Sequence, residues 1–535
     1  MGGAVNDSGD DEATVGRRAG AASRWGVRLA VAVLSLCASS LLIRWTDRVW
    51  ASEPKIGAAA AKGEKGELDG KAGPTERAGA LAMATLARWP QPRAVLVVTG
   101  RQTGYFEPCG CTGLENQKGG LMRRATLLEQ LRGKQWPVVP LDLGNQVRRI
   151  GKQSEIKFQM TLESLKKMGY RAVGLGPDDL RLASGELVAA VVNDPELFVA
   201  GNLNLLDLVP KSRVIEVGDL KIGVTSVLGA EAQQQVHNDA VEFRDTVASL
   251  KEVVAEFRRQ ECGLLLLLSY TDTEETERLV REVPEFDLVV NAAGAGEPTM
   301  RPEKVAGTST QVIQVGAKGM YAGVIGIFEG QFRYQRVPLD ATFGDHPAML
   351  EALASYQQQL ETLGLDGLGL TASPHPRGGE FVGSEKCGEC HTKAYAIWEK
   401  TPHQKATADL VHPPERAAVQ RQFDPECLSC HVTGWNAQGY YPYLSGYQSL
   451  TQTAHLTGNG CENCHGPGSQ HVAVESGDVD ATDAERLKLR QQMRLPLSAA
   501  ERVCLECHDL DNSPDFHKDG AFERYWAEVR HVGKD

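Results

Sequence analysis

The sequence predicts a multidomain protein, in which an α/β domain is followed by a mostly irregular or α-helical domain. Between residues 93 and 345, short apolar runs alternate with amphipathic helical stretches, as in α/β proteins. Beyond residue 379 lie eight of the twelve cysteines and ten of the thirteen histidines. Ordinary packing and surface roles would spread these residues more evenly, so the C-terminal region is predicted to bind a metal or a cofactor.

The N-terminal segment is predicted to direct the chain to a membrane. Residues 1–28 are polar and contain four arginines, and the following run, LAVAVLSLCASSLLI, is apolar and uncharged. The basic flank precedes the apolar run, so residues 29–45 are predicted to be a signal anchor of the cytoplasmic membrane, with the body on the periplasmic side. A cleaved signal peptide and a periplasmic protein are the alternative. Residues 46–92, rich in Ala, Gly, Lys and Glu, are predicted to be a flexible linker.

The α/β domain is predicted to contain a largely parallel sheet, because strands and helices alternate. The predicted buried strands are 94–98, 138–143, 172–175, 197–200, 221–227, 264–269 and 287–290, with closing strands in 311–316 and 321–330. Helices are predicted over 119–132, 154–168 and 241–259. Residues 346–378 are predicted to form a helix and a linker to the next domain.

This region resembles the metallophosphoesterase domain of 5′-nucleotidases. The resemblance lies in TGRQTGYFEP, GGLMRRATLLEQL, LDLGN, GYRAVGLGPDD, GNLN, LLLLLSYTD, DLVVNAAGAG and QVGAKGMYAGVIG, in the family's order. It implies an α/β sandwich and a site where Asp, Asn and His hold two metal ions. At the ligand positions this chain instead has Arg101, Thr103, Asn145, Pro177, Asp178, Tyr270, Ala293 and Ala295. Since Arg101 places a positive charge where a cation belongs, phosphoesterase chemistry is predicted to be lost.

Two other features of this region concern metals. Asp178 and Asp179 could still bind a metal ion, although two solvated loop carboxylates are the preferred interpretation. Cys109 and Cys111, in the sequence PCGC, are too close for an easy mutual disulfide. They could bind a soft metal, one of them could pair with Cys262, or they could have a structural role.

Four Cys-x-x-Cys-His motifs follow in residues 379–535. They comprise Cys387, Cys390 and His391; Cys427, Cys430 and His431; Cys461, Cys464 and His465; and Cys504, Cys507 and His508. The two cysteines can bond the two vinyl groups of one haem, and the adjacent histidine can bind its iron as proximal ligand. Zinc is the alternative, but a zinc site does not need a histidine after every cysteine pair. Four covalently bound c-type haems are therefore predicted.

The same region holds further histidines that could be second axial ligands. They are His403, His412, His455, His471, His517 and His531. His412 precedes two prolines and is interpreted as a surface residue. A domain of this size around four haems would use the porphyrins as its core, with tryptophan and tyrosine side chains packed against them.

The C-terminal region resembles the tetrahaem cytochrome c-554 family, whose haem arrangement is shared with hydroxylamine oxidoreductases. The resemblance lies in FVGSEKCGECH, WEKTPHQKA, CLSCHVTGW, GCENCHGPGSQH, CLECHDLDNSP and YWAEVRH. It implies that His471, His403 and His531 are distal ligands of the first, third and fourth haems. A shortened stretch before the fourth motif departs from the family pattern.

In that family the second haem has no protein ligand on its far side. The resemblance therefore implies an open iron at the second motif, which could bind a small ligand such as nitric oxide. His455, six residues before Cys461, is the candidate that could close it.

Together these features predict an exported tetrahaem cytochrome that carries electrons to or from redox partner proteins. The alternatives are a haem enzyme acting on a small nitrogen or sulfur compound, and a nucleotidase-type hydrolase with a haem appendage. A net charge of −12 argues against nucleic acid as a partner.

Overall fold

The computed structural model describes residues 77–108, 117–294, 297–414 and 419–534. The predicted anchor over 29–45 lies outside these ranges, as do Cys109 and Cys111. No helix within the described ranges is both long enough and apolar enough to cross a membrane.

Up to residue 345, the middle domain contains thirteen strands and seven α-helices among its described residues. The strands are β1 (Ala94–Thr99), β2 (Val138–Asp142), β3 (Ala172–Val173), β4 (Leu203–Leu205), β5 (Arg213–Val217), β6 (Leu220–Leu228), β7 (Val241–Phe243), β8 (Leu264–Tyr270), β9 (Leu288–Asn291), β10 (Glu303–Lys304), β11 (Gln311–Gln314), β12 (Tyr321–Phe328) and β13 (Gln331–Pro338). The helices are α1 (Ala78–Ala87), α2 (Leu121–Gly133), α3 (Lys152–Lys167), α4 (Ser184–Asn193), α5 (Ala230–Gln234), α6 (Thr246–Arg259) and α7 (Thr273–Glu282).

Most of these strands form two mixed sheets. One sheet has the order β13-β12-β1-β2-β3, and the other β10-β11-β9-β8-β6-β5. Strands β1, β2 and β3 are parallel, as are β6, β8, β9 and β11, whereas the remaining pairings in the two sheets are antiparallel. Strand β8 reads LLLLLSY without alternation because both faces of the sheet are covered. The predicted α/β sandwich is confirmed.

Three details of the prediction are wrong. Residues 197–200 do not form a strand, and Phe198 makes only a single bridge to Val173. Residues 241–243, predicted as helix, form β7, which pairs with β4, and α6 begins after the cap of Asp245. Residues 78–87, predicted as flexible linker, form α1, because this alanine-rich segment favours a helix and buries Leu86.

Helix α8 (Pro347–Gly367) follows the sheets and packs on α2 and α3. Its buried side chains, including Leu353 and Tyr356, belong to the same apolar cluster as β1 and α2. A second apolar cluster lies between α6, α7 and β8, and Cys262 packs at its edge. The helix in 346–378 is therefore part of the core of the middle domain.

The C-terminal domain consists of short helices joined by irregular segments, as predicted. The helices are α9 (Ser384–Gly388), α10 (Thr392–Trp398), α11 (Pro402–Val411), α12 (Pro425–His431), α13 (Cys461–His465), α14 (Ser469–Ser476), α15 (Asp483–Gln492), α16 (Leu497–Cys504) and α17 (Ala521–Val529). A two-stranded ribbon joins β14 (Trp435–Asn436) to β15 (Tyr441–Pro442). Trp435 belongs to a small apolar cluster with Val432 and Tyr447.

Candidate haem-binding site

Each motif lies in or beside a short helical turn, which orients its side chains. In the first motif the His391 amide donates to the Cys387 carbonyl over 3.0 Å, and in the fourth His508 donates to Cys504 over 2.8 Å. This turn places a cysteine and the histidine four residues later on the same side of the backbone. A covalently bound haem requires this arrangement of sulfur and imidazole.

Three of the four motif histidines face another histidine of the domain. The ring centroids are 6.4 Å apart for His391 and His471, 5.7 Å for His465 and His531, and 6.1 Å for His508 and His403. With metal–nitrogen bonds of about 2.0 Å, two axial imidazoles place their ring centroids about 6.3 Å apart. The three pairs therefore have the spacing of two axial ligands on one metal ion.

Two of these pairs differ from those that the resemblance implied. His471 faces the first motif as expected, but His403 faces the fourth motif and His531 faces the third. The reason lies in α17, whose nine residues extend about 13 Å from the region of the fourth motif. Tyr525, within this helix, packs beside His508, and the helix then carries His531 away to His465.

Hydrogen bonds orient three of the motif histidines. The Nδ1 atoms of His431 and His465 lie 2.7 Å from the carbonyls of Ala406 and Met493, and Nδ1 of His508 lies 3.0 Å from the Ser513 hydroxyl. Donation from Nδ1 leaves the lone pair on Nε2, the nitrogen that is then free to bind a metal.

Burial favours the neutral form of several of these imidazoles. Desolvation lowers the pKa of His403, His465 and His471, and it lowers the pKa of His508 to about 4. Nδ1 of His471 is buried without a hydrogen-bond partner among the described residues. A buried ring nitrogen in this state costs free energy unless it binds a metal or a proton donor. The donor set thus fits axial ligation of iron.

The motif cysteines lie close to one another across motifs. The thiols of Cys387 and Cys461 lie close to each other, as do those of Cys430 and Cys507. Cys464 lies near Cys504. The attachment points of the first and third motifs are therefore neighbours, as are those of the second and fourth and those of the third and fourth.

Two side chains inside the third motif, which the sequence analysis missed, hold the motifs together. The Glu462 carboxylate accepts hydrogen bonds from the amides of Val382 and Gly383, over 3.0 and 2.8 Å, just before the first motif. Asn463 donates to the carbonyl of Val432, over 2.9 Å, just after the second motif. The sequence signal for this role was the presence of two polar residues between the two cysteines of the motif.

The other histidines have different surroundings. His455 is exposed, and its ring lies beside Gly383, before the first motif. His412 is exposed at the end of α11. His517 places Nε2 2.9 Å from the His508 carbonyl.

In the middle domain, protein groups surround the position where the resemblance implied metal ions. The Arg101 guanidinium donates to the carbonyls of Ala292 and Gly294, over 2.9 and 2.6 Å, and so bridges loops of the two sheets. Arg101 also hydrogen-bonds Tyr270, whose pKa burial raises to about 12. No group of three or more His, Cys, Asp or Glu within the described ranges could hold a metal ion.

Asp178 and Asp179 bind protein groups rather than standing free in solvent. Asp178 accepts from the Asn145 side chain over 2.9 Å and pairs with Arg181 over 3.2 Å. The fully buried Asp179 accepts from four backbone amides, those of Asn145, Gln146, Val147 and Gly176. The preferred interpretation of solvated carboxylates is therefore wrong for Asp179, which organises the loop after β2.

Comparison with known proteins gives two separate similarities along the chain. Residues 386–466 match the family described as cytochrome c554 and c-prime. The match includes the first three motifs, and we refer to residues 379–535 as the cytochrome domain. Cytochrome c-554 of Nitrosomonas europaea is 36% identical over 97 residues, which cover 16% of this chain and 39% of that protein. These findings support covalently bound c-type haem.

The middle domain is similar to 5′-nucleotidases. Snake venom 5′-nucleotidase of Gloydius brevicauda is 24% identical over 245 residues, which cover 41% of each protein. The 5′-nucleotidase precursor of Thermus thermophilus superposes with a TM-score of 0.45 and 18% identity, over 59% of this chain and 66% of that one. The chain thus spans about two fifths of the length of these curated relatives.

The cytochrome domain is joined to the middle domain by buried and half-buried ion pairs. Glu426, which precedes Cys427, pairs with Arg149 over 2.5 Å and with Lys157 over 2.7 Å. Asp511, which follows the fourth motif, pairs with Arg148 and Lys318. In a further pair the cytochrome domain supplies the cation: Arg421 binds Glu107 of the middle domain over 2.6 Å. The second and fourth motifs therefore lie nearest to the middle domain.

Proposed function

We propose that this protein is an exported c-type cytochrome with four haems, which carries electrons outside the cytoplasmic membrane. The observation that carries the proposal is the set of three imidazole pairs with centroids 5.7, 6.1 and 6.4 Å apart, each beside a Cys-x-x-Cys-His motif. Bound c-type haem supplies a one-electron redox couple, whose potential depends on its axial ligands, burial and nearby charge.

The residues of the chain provide what such a carrier needs. Eight cysteines would provide the covalent attachment, and His391, His431, His465 and His508 would be the proximal ligands. His471, His531 and His403 would be the distal ligands at the first, third and fourth motifs. Because thiols of neighbouring motifs lie close together, the attached groups would also be close, and proximity is what electron transfer between them requires.

Intact mass tests the number of haems. The mature full-length protein should exceed the mass of its chain by four haem groups, and the double variant Cys504→Ala and Cys507→Ala by three. The fourth motif needs this separate test because it lies outside the matched residues 386–466. A mature chain without haem but with bound zinc would overturn the proposal.

Electron paramagnetic resonance tests the ligand pairs. His531→Ala should convert one low-spin signal to high-spin, and the effect should persist when the fourth motif is removed by Cys504→Ala and Cys507→Ala. His517→Ala is the matched control and should leave the low-spin signals unchanged. Loss of the His531→Ala effect in the chain without the fourth motif would restore the pairing that the family implies.

We also propose that the middle domain does not hydrolyse phosphate esters. The Arg101 guanidinium, held by the Ala292 and Gly294 carbonyls, supports this proposal, because it brings a fixed positive charge to the loops that would hold metal ions. The full-length protein should not turn over nucleotide monophosphates with manganese, cobalt or zinc. Turnover abolished by a chelator would contradict this.

Nitric oxide binding at the second motif stays a prediction from the resemblance. If the second iron is open, the oxidised protein should contain one high-spin haem, and the reduced protein should give a nitrosyl signal with nitric oxide. Four low-spin signals in the wild type, with a high-spin signal only in His455→Ala, would assign the closing ligand to His455.

The redox partner and the membrane anchor are likewise proposals, and fractionation of the mature protein with the membrane tests the anchor.

A further inference from the structure

A cavity of about 50 Å³ lies between the two domains, at the loops that follow β1 and β2. Thr103 and Ser154 line it from the middle domain, and Glu426 and Tyr440 line it from the cytochrome domain. In α/β folds, ligands bind at the carboxyl ends of parallel strands, which is where this cavity lies. It is distinct from the imidazole pairs described above.

Two hydroxyl groups in the cavity have no protein partner among the described residues. Ser154 is 6% exposed, and its hydroxyl makes no hydrogen bond there. The Thr103 Oγ1 atom is buried and likewise has no hydrogen-bond partner. Polar groups of buried residues are normally satisfied, so the unbonded Ser154 hydroxyl in this cavity, beside the unsatisfied Thr103 Oγ1 atom, indicates a polar occupant.

The first turn of α3 adds backbone donors. This sixteen-residue helix begins at Lys152 after Gly151, which has no side chain to cap it. Its first amides have no partners within the helix, and its amino end carries a partial positive charge. Ser154 belongs to this first turn, so the amide donors and the Ser154 hydroxyl lie together.

The side chains that line the cavity carry a positive excess. Arg148, Arg149 and Lys157 line the cavity together with Glu426. Behind them, Asp511 pairs with Arg148 and Lys318, and Asp424 accepts hydrogen bonds from Gln153 and Tyr356. Three cations and one carboxylate thus line the cavity itself, and a lysine or arginine that is bonded to one carboxylate keeps further N–H donors.

The size of the cavity limits its occupant. Sites for drug-sized organic ligands occupy about 300–1,000 Å³, whereas one water needs about 10–15 Å³. A nucleotide, the substrate named for the middle domain's relatives, would not fit. An anion of three to five heavy atoms would.

We propose that this cavity binds a small inorganic oxyanion, held by the Thr103 and Ser154 hydroxyls, the first turn of α3, and the Arg149 and Lys157 side chains. The site uses residues of both domains, so the oxyanion binds only when the domains are docked. Glu426 immediately precedes Cys427, so the anion lies beside the second motif. The proposal does not depend on which axial ligands that motif has.

Isothermal titration calorimetry of the haem-loaded full-length protein, at constant ionic strength, tests the site with nitrite, sulfite and phosphate as separate probes. The test variant combines Thr103→Ala with Ser154→Ala. The control is Ser164→Ala, which removes a buried hydroxyl of the same helix that bonds only the Met160 carbonyl. Circular dichroism and the haem absorption spectrum verify that each variant is folded and loaded.

At least one of the three anions should bind, and the double variant should raise its Kd at least tenfold, because hydrogen bonds to charged groups are among the stronger ones. Ser164→Ala should leave the Kd within a factor of two or so of the wild type. The tightest probe then identifies the shape of the anion. No binding by any probe at about 10 mM, or equal affinity in the wild type and the double variant, would overturn the proposal.

Discussion

The middle domain and the cytochrome domain are stabilised in different ways. Strands β1 and β8 are buried almost throughout, and they lie in apolar clusters that also include side chains of α2, α6 and α8. Among the residues that the structure describes, the apolar cluster of the cytochrome domain has seven buried members, including Leu428 and Trp435. The first domain has a core of its own, whereas we expect the second to depend on the haem proposed above.

Loss of haem attachment should produce the largest difference in stability between the two domains. A chain with all eight motif cysteines replaced by alanine should lose the structure of the cytochrome domain, because the remaining apolar cluster is too small to support it. Limited proteolysis should then cut within residues 380–534 and leave residues 94–338 protected.

Cys262→Ala is the control for that experiment, since this cysteine lies at the edge of the middle domain's second cluster. It should leave the proteolytic pattern unchanged. If the cytochrome domain resisted proteolysis equally well with and without its motif cysteines, its fold would not depend on haem.

Breaking the Arg421–Glu107 pair should have the next largest effect on stability, because this pair joins the cytochrome domain to the middle domain. Both side chains are largely buried, with 7% and 16% exposed. Arg421→Met leaves Glu107 without this partner and should lower the free energy of unfolding by about 3–5 kcal/mol. Chemical denaturation of the haem-loaded protein measures this.

The matched control is Arg281→Met, which removes an exposed pair with Glu277 within α7. Its cost should be about 0.5 kcal/mol or less. Equal costs for the two variants would mean that the domain interface contributes nothing beyond a surface pair.

Acid should weaken the same interface through Glu426. Burial alone would raise the pKa of this carboxyl, but Lys157 and Arg149 outweigh burial and bring it to about 2. A carboxyl whose pKa is depressed on folding stabilises above its unfolded value, near 4.3, and loses that contribution as the pH falls towards 2. Most of this loss should fall between about pH 4.3 and pH 2.

Denaturation midpoints between pH 6 and pH 2.5 measure this dependence. Glu426→Gln should flatten the curve in that window, whereas Glu389→Gln, in an exposed pair with Lys386, should leave its slope unchanged. A wild-type curve that Glu426→Gln does not alter would contradict the assignment.

The smallest expected effect concerns the attachment of α1 to the middle domain. The Gly79 amide donates to the Asp340 carboxylate over 2.7 Å, and this contact is buried. Asp340→Ala should cost about 0.5–2 kcal/mol, as the loss of a helix-terminal acceptor does. Hydrogen exchange of the α1 amides should become faster in Asp340→Ala. The control is Glu329→Ala, which changes an exposed residue in the turn between β12 and β13 and should leave this exchange unchanged.

The sequence by itself determined the features that depend on neighbouring residues. The strands β1, β6 and β8 were predictable because a buried strand reads as a continuous apolar run. The four motifs were predictable because haem attachment needs two cysteines and a histidine at one spacing. The loss of the metal ligands at Arg101 and Tyr270 was likewise visible residue by residue.

Only the tertiary structure decided which distant residues meet. His403 and His531 could each serve several motifs, and the course of α17 assigns His531 to the third and leaves His403 to the fourth. The docking of Glu426 and Asp511 on basic residues of the middle domain has no local sequence signal either. Such contacts depend on how separately folded elements pack, and side chains far apart in the chain carry no spacing from which that packing can be derived.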